Sequence, residues 1–298
     1  MTRVSNGAPS VALPGALIEA DGLGMRYGTG RLALDGANLS VAAGELLVIL
    51  GHNGCGKSTL LKCIAGLLRP TAGRVLVAGR DITSLSGRSL SEARMAMAMV
   101  FQQARLVGRR SVLANVQCGT LGRHRTVASA VGVLPRTEQP LAIACLEEVG
   151  LADFAAQRAG TLSGGQAQRA SIARALAQRP AALLADEPVA SLDPEASEEV
   201  MRLLRRISAE DGLGVICVLH QPALARRYAD RILGMRQGRV MFDAAPAGIA
   251  DDRMQALYEG AANDGAMHAG VVHTGAVQAS AAQGGMAYGG QVTHGVTT

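Results

Sequence analysis

The sequence predicts an α/β fold built on a mostly parallel sheet, and three observations predict it. Four short runs, Leu46–Leu50, Met97–Phe101, Ala182–Asp186 and Val215–Leu219, are almost wholly apolar. Strands buried on both faces of a parallel sheet read this way. Helical stretches alternate with them, at Lys57–Leu68, Gln166–Gln178 and Glu195–Ala209. The first run passes directly through a glycine-rich segment into the first helix.

The remaining segments follow in chain order. Residues 1–15 read as a flexible leader, since Gly and Pro interrupt their apolar part and make a poor signal peptide. Residues 104–160 are Ala-rich and mostly helical, broken by Gly, Pro135 and Pro140, and read as an insertion packed beside the sheet. Pro180 stops the second helix, while Asp193 caps the third and Pro194 occupies its first position. Met235–Phe242 reads as a hairpin turning at Gln237–Gly238. Periodic structure extends over 16–259. From Ala261 onward there is no Lys or Arg, only one Asp, and much Gly, Ala, Thr and Gln. Such a segment buries too little apolar surface to offset its ordering entropy, so 260–298 is predicted to be a disordered tail. His268, His273 and His294 lie in it, too sparse for a preformed metal site.

Composition narrows the function classes. With 298 residues, 48% hydrophobic, 2% aromatic and no Trp, the core must be built from Ala, Val, Leu, Ile and Met. Net charge is +5, and of the 29 basic residues all but Lys57 and Lys62 are Arg. That modest excess, without interleaved aromatics, argues against a dedicated nucleic-acid binder. The longest apolar runs, Leu46–Leu50 and Val127–Leu134, fall far short of the ~18 residues of a membrane span. Five Cys without paired spacing read as reduced thiols of the cytosol.

The phosphate loop is the strongest local signal. Gly51, His52, Asn53, Gly54, Cys55, Gly56, Lys57, Ser58 and Thr59 fit G-x-x-x-x-G-K-[ST] between strand and helix. Glycines let the backbone wrap phosphate with a ring of N–H donors, and the helix N-terminus adds positive potential. Lys57 can reach the β- and γ-phosphates, and the Ser58 hydroxyl can ligate Mg²⁺. Cys55 reads as a space-filling residue of the loop. Two carboxylates, Asp186 and Glu187, stand at the end of the buried run Ala182–Asp186. Asp186 can hold Mg²⁺ through water, and Glu187 can orient an attacking water. About twenty residues upstream, Leu162-Ser163-Gly164-Gly165-Gln166 opens a helix and presents a second anion site at its N-terminus.

In this order and spacing the chain resembles the nucleotide-binding subunit of an ABC transporter, for which LSGGQ is the signature. The resemblance covers about 16–259. It implies an ABC ATPase fold: a P-loop NTPase core with a mostly parallel sheet, an N-terminal antiparallel β portion and an inserted α-helical subdomain at about 104–178. By the same resemblance Tyr27 stacks on adenine, Gln102 is the Q-loop glutamine, Ser191-Leu192-Asp193 is the D-loop and His220 is the switch histidine. Independently of the family, Gly51, Gln102, Asp186 and His220 all follow predicted strand ends, the edge where open α/β sheets put their ligands.

The resemblance further implies a head-to-tail dimer, with a second copy or a paralogous ATPase, in which ATP lies between the P-loop of one molecule and Ser163–Gln166 of the other. Hydrolysis at Glu187, with His220 on the γ-phosphate and Gln102 sensing Mg²⁺, reopens the dimer. The work passes to two integral-membrane permease subunits at the inner face of the inner membrane, indirectly served by a periplasmic substrate-binding protein. The stretches Ala185–Pro194, Leu219–Arg231 and Thr120–Arg125 are most similar to the ATPases of phosphonate importers. Phosphite, phosphate or another solute stays open as cargo, and a non-transport ABC ATPase is the competing class. Arg105, Arg109, Arg110, Arg123, Arg125 and Arg136 are expected to form a solvated or partner-facing basic surface.

Overall fold

The computed structural model describes residues 15–28, 30–124 and 135–259. The expected leader up to residue 14, the tail 260–298 with its three His, and the segment 125–134 lie outside the described residues.

Among the described residues, ten strands form two sheets. β1 (Ile18–Arg26), β2 (Leu32–Val41), β4 (Ala72–Val77) and β5 (Arg80–Asp81) make an antiparallel sheet in the order β2-β1-β4-β5. The second sheet orders β3 (Leu46–Leu50), β6 (Met97–Val100), β7 (Ala182–Asp186), β8 (Gly214–Val218), β9 (Arg231–Arg236) and β10 (Arg239–Ala244) as β10-β9-β3-β8-β7-β6. All its pairings are parallel except the terminal hairpin β9–β10. The antiparallel sheet is N-terminal, as expected, and β4 and β5 join it after the first helix because β4 pairs with β1.

The parallel strands are buried on both faces, which is why they lack alternation. Leu46, Val48, Leu50, Leu183, Ala185, Val215 and Cys217 point into one core. Leu47, Ile49, Ala182, Leu184, Ile216 and Val218 point into the other. Period two survives in which face a residue serves, while both faces demand apolar side chains.

The helices are α1 (Lys57–Ile64), α2 (Gly87–Arg94), α3 (Val112–Gln117), α4 (Gln139–Glu148), α5 (Gly164–Leu176), α6 (Pro194–Asp211), α7 (Pro222–Tyr228) and α8 (Asp251–Gln255). Asp193 caps α6 by accepting from the Ala196 N–H at 2.9 Å, with Pro194 at the first position. The hairpin turns at Gln237 and Gly238, both at positive φ. α1 is shorter than expected, ending at Ile64 rather than Leu68 with Gly66 left-handed just beyond. All five Cys are free, four of them buried. Among the described residues no helix is long and apolar enough to cross a membrane.

Candidate functional site

Strand order assembles the site. β3, β8, β7 and β6 lie side by side with all their C-terminal ends at one edge, and Ile49, Val218 and Asp186 fall in one register row. Neighbouring parallel strands are about 4.8 Å apart. Segments far apart in sequence therefore emerge next to each other: the loop from Gly51, the loop at His220, the acidic pair and the stretch at Gln102.

The loop Gly51–Thr59 wraps the start of α1. Gly51 and Gly56 have φ of 152° and 111°, and a Cβ on either would come closer than 3.0 Å to a carbonyl oxygen, of Met235 and Ala33 respectively. No side chain can be added there without moving backbone. Cys55 is 2% exposed and packs beneath the loop, its thiol held protonated by burial. Lys57 is buried and donates from Nζ to the carbonyls of Gly51 at 2.8 Å and His52 at 3.0 Å. Burial lowers its pKa, opposed by Cys55, Glu187 and Asp186. His52 Nδ1 stands 2.7 Å from the Asn53 carbonyl, while Asn53 and Gly54 are exposed at the loop's crest. Tyr27 is half exposed, its hydroxyl 3.2 Å from Thr59 Oγ1. Arg31, which the sequence reading missed, donates to the Gly54 carbonyl at 3.3 Å.

Ser58 Oγ donates to Asp186 Oδ1 at 2.8 Å. Burial raises the Asp186 pKa, the Ser58 hydrogen bond countering it. One residue on, Glu187 adopts φ +52°, a left-handed conformation that costs a β-carbon-bearing residue about 1–3 kcal/mol. That turn directs its carboxylate to His220, whose Nε2 lies 2.6 Å from Glu187 Oε1. Gln102 sits exposed just past β6.

The expected second anion site opens a different helix. Ser163 caps α5 through a reciprocal box: its Oγ accepts from Gln166 N–H at 3.2 Å, and Gln166 Oε1 accepts from Ser163 N–H at 2.9 Å. Ser163 and Gly164 are exposed, and among the described residues no hydrogen bond joins this turn to the phosphate loop. Gly165 is small because α6 comes close, a Cβ there falling within 3.0 Å of Ala196 Cβ. Behind the turn, Gln168 Nε2 donates to Phe101 O at 3.1 Å, and Arg174 donates to the carbonyls of Ala104 at 2.8 Å and Arg105 at 2.9 Å. The signature helix is thereby bound to the segment that carries Gln102. Sequence reading missed Gln168 and Arg174, though their spacing with Ser171 along one helix face was the available signal.

The arrangement thus holds a glycine-lined loop at a helix start, a hydroxyl–carboxylate pair, a paired Glu and His, and a second capped helix start. The model for ABC transporters matches residues 34–190, more than half of the chain.

The chain belongs to the ABC transporter family.

Among its relatives within that family, the phosphonates import ATP-binding protein PhnC 2 of Rhodopseudomonas palustris (strain BisB18) is 46% identical over 248 residues, 83% of this chain and 91% of the relative. PhnC 3 of Nostoc sp. (strain PCC 7120) is likewise 46% identical, over 83% of this chain and 94% of the relative. Among solved ABC structures, a dimeric post-hydrolysis state of the ATP-binding cassette MJ0796 bound to ADP and Pi has a TM-score of 0.68 at 33% identity, covering 78% of this chain and all of that one. CbiO1 of Clostridium perfringens, part of the ABC transporter complex cbiONQ, has a TM-score of 0.71 at 29% identity, covering 85% and 99%. The fold is accordingly the ABC ATPase fold, with a P-loop core and mixed sheets.

Proposed function

We propose that the chain is the ATP-hydrolysing, energy-coupling subunit of an ABC import complex for phosphonate. The observation that carries this reading is the 46% identity to phosphonates import ATP-binding proteins across nine-tenths of their length. The site chemistry supports the ATPase half of it. The loop 51–59 binds the phosphates of ATP, and a triphosphate offers Lys57 an anionic acceptor in place of two neutral carbonyls. Tyr27, beside Thr59 at the loop's end, takes the adenine face.

Ser58 and Asp186 are a hydroxyl and a carboxylate, hard oxygen donors, and no group of three or more acidic, His or Cys side chains suited to a metal occurs among the described residues. This fits Mg²⁺, which keeps waters and substrate phosphates and needs few protein ligands. Ser58 and Asp186 would hold it, with Gln102 as the third candidate, and the ion would neutralise phosphate charge. Glu187 orients water for in-line attack, and His220, anchored on Glu187, contacts the γ-phosphate.

The exposure of Ser163 and Gly164 supports a role on the nucleotide of a second copy. The dimeric state of the MJ0796 cassette supports the same arrangement. The closed dimer acts on two membrane permease subunits at the inner face of the inner membrane, with a periplasmic binding protein delivering phosphonate. The test is a deletion strain offered a phosphonate as sole phosphorus source. Growth should fail there and persist on phosphate, and the tagged chain should co-purify with two integral-membrane subunits. Unimpaired growth on every phosphonate tried, or co-purification with nucleic acid instead, would overturn the reading.

A further inference from the structure

The switch loop is gripped from behind by the last described segment, through a residue the mechanism above does not use. Tyr258 follows α8, with Leu257 1% and Met254 5% exposed in the core beside it. Its hydroxyl donates to the His220 carbonyl at 3.5 Å. The backbone of Gly51, the first residue of the phosphate loop, lies beside the same hydroxyl and opposes the shift that burial causes. One phenol thus holds the carbonyl of the histidine that pairs with Glu187, next to the start of the phosphate loop. Burial keeps the phenol protonated, so it stays a donor to the carbonyl.

The segment carrying Tyr258 is itself clamped to the helix that follows the switch. From α7, Arg226 donates to the Pro246 carbonyl at 3.3 Å, to the Ile249 carbonyl at 3.0 Å and to Asp251 Oδ1 at 2.7 Å. Arg236, on β9 beside the phosphate-loop strand, donates to the Ala256 carbonyl at 3.2 Å. Movement of the His220 backbone is therefore resisted at both ends, by Tyr258 directly and by Arg226 through α7.

We infer that Tyr258 is a positioning residue for hydrolysis, holding the His220 backbone so that the imidazole meets Glu187 and the γ-phosphate together. This rests on the ATPase reading above. The hydroxyl touches no reacting atom, so its effect passes through His220. Loss of one hydrogen bond between neutral groups is worth roughly a 3- to 10-fold change in rate.

The test is a double-mutant cycle on the full chain. Tyr258→Phe removes only the hydroxyl. It should lower kcat for ATP roughly 3- to 10-fold with KM and the melting temperature nearly unchanged. In a His220→Ala background the same change should have no further effect on the residual kcat. An unchanged kcat in Tyr258→Phe, a rise in KM alone, or a full extra loss in the His220→Ala background would each overturn the inference. If Tyr258→Phe lowers the melting temperature, Tyr258→Met in both backgrounds separates packing from the hydroxyl, since a packing defect is additive with His220→Ala. Full turnover in His220→Ala alone would instead sink the role given to His220, a distinct failure.

Discussion

His220 Nε2 lies 2.6 Å from Glu187 Oε1, although the two residues follow different strands and Glu187 reaches the contact from a left-handed backbone turn. The turn lifts the carboxylate off the end of β7 and toward the loop of the adjacent β8, so the acid and its histidine are assembled by one strained residue. Glu187→Gln keeps the side chain's shape and removes its charge. It should retain ATP binding and lose ~10²–10⁴ in turnover, the range of a positioned acid–base group. It should also accumulate a dimer in ATP, read by light scattering. Wild-type turnover in this variant would refute the role of Glu187.

Ser163 does two things on one turn, capping α5 and exposing its hydroxyl and the following glycine. Ser163→Arg should abolish hydrolysis and leave ATP binding to the monomer intact. Ser163→Ala controls for the cap, whose loss costs about 1 kcal/mol. Loss of monomer binding in Ser163→Arg, measured by calorimetry at low protein concentration, would mean that the signature acts on its own molecule's nucleotide.

Gln168 is 2% exposed and serves the Phe101 carbonyl, one residue before Gln102. Gln168→Leu leaves that carbonyl without its donor, at a cost of about 1–3 kcal/mol. Denaturant unfolding should register that loss, and turnover should fall while ATP affinity is kept. A stability loss with unaltered turnover would confine Gln168 to a packing role.

The Glu148 carboxyl, on α4 against the end of α6, is pushed up to about 7, first by burial and then by Asp211, with Arg206 opposing. Its Oε1 is buried without a hydrogen-bond partner. The folded chain therefore binds a proton here that the unfolded chain, with an ordinary value near 4.5, releases sooner. Stability from this group is complete below 4.5 and is lost as pH rises through about 7. Glu148→Gln should flatten the fall of melting temperature across that window and raise it by roughly 2 °C at pH 8. A melting curve as pH-dependent as the wild type's would show that the pH dependence does not come from Glu148.

Legibility in the sequence followed locality. The phosphate loop was readable because its demands are met within nine consecutive residues, from glycines needed at positive φ to a lysine and hydroxyl at helix start. Leu46–Leu50 and Ala182–Asp186 were readable to the residue because strands buried on both faces demand apolar side chains, Asp186 falling at the less buried strand end. The caps at Asp193 and Ser163 were local for the same reason. The antiparallel sheet was placed only in part, because the pairing of Ala72–Val77 with Ile18–Arg26 joins segments that carry no mutual signal. Gln168, Arg174, Arg31 and Tyr258 act by donating to backbone carbonyls far along the chain, and a carbonyl has no letter in a sequence.

The sequence by itself determined the family and the residue types at the site, since phosphate wrapping, helix capping and strand burial are settled between near neighbours. Only the tertiary structure decided which loops stand side by side: that Ser58 meets Asp186, that Glu187 meets His220, and that Tyr258 closes behind them. The reason is physical. Strand order and the contacts across it are fixed by two cores packing on opposite faces of one sheet, a property of the whole folded chain rather than of any stretch of it.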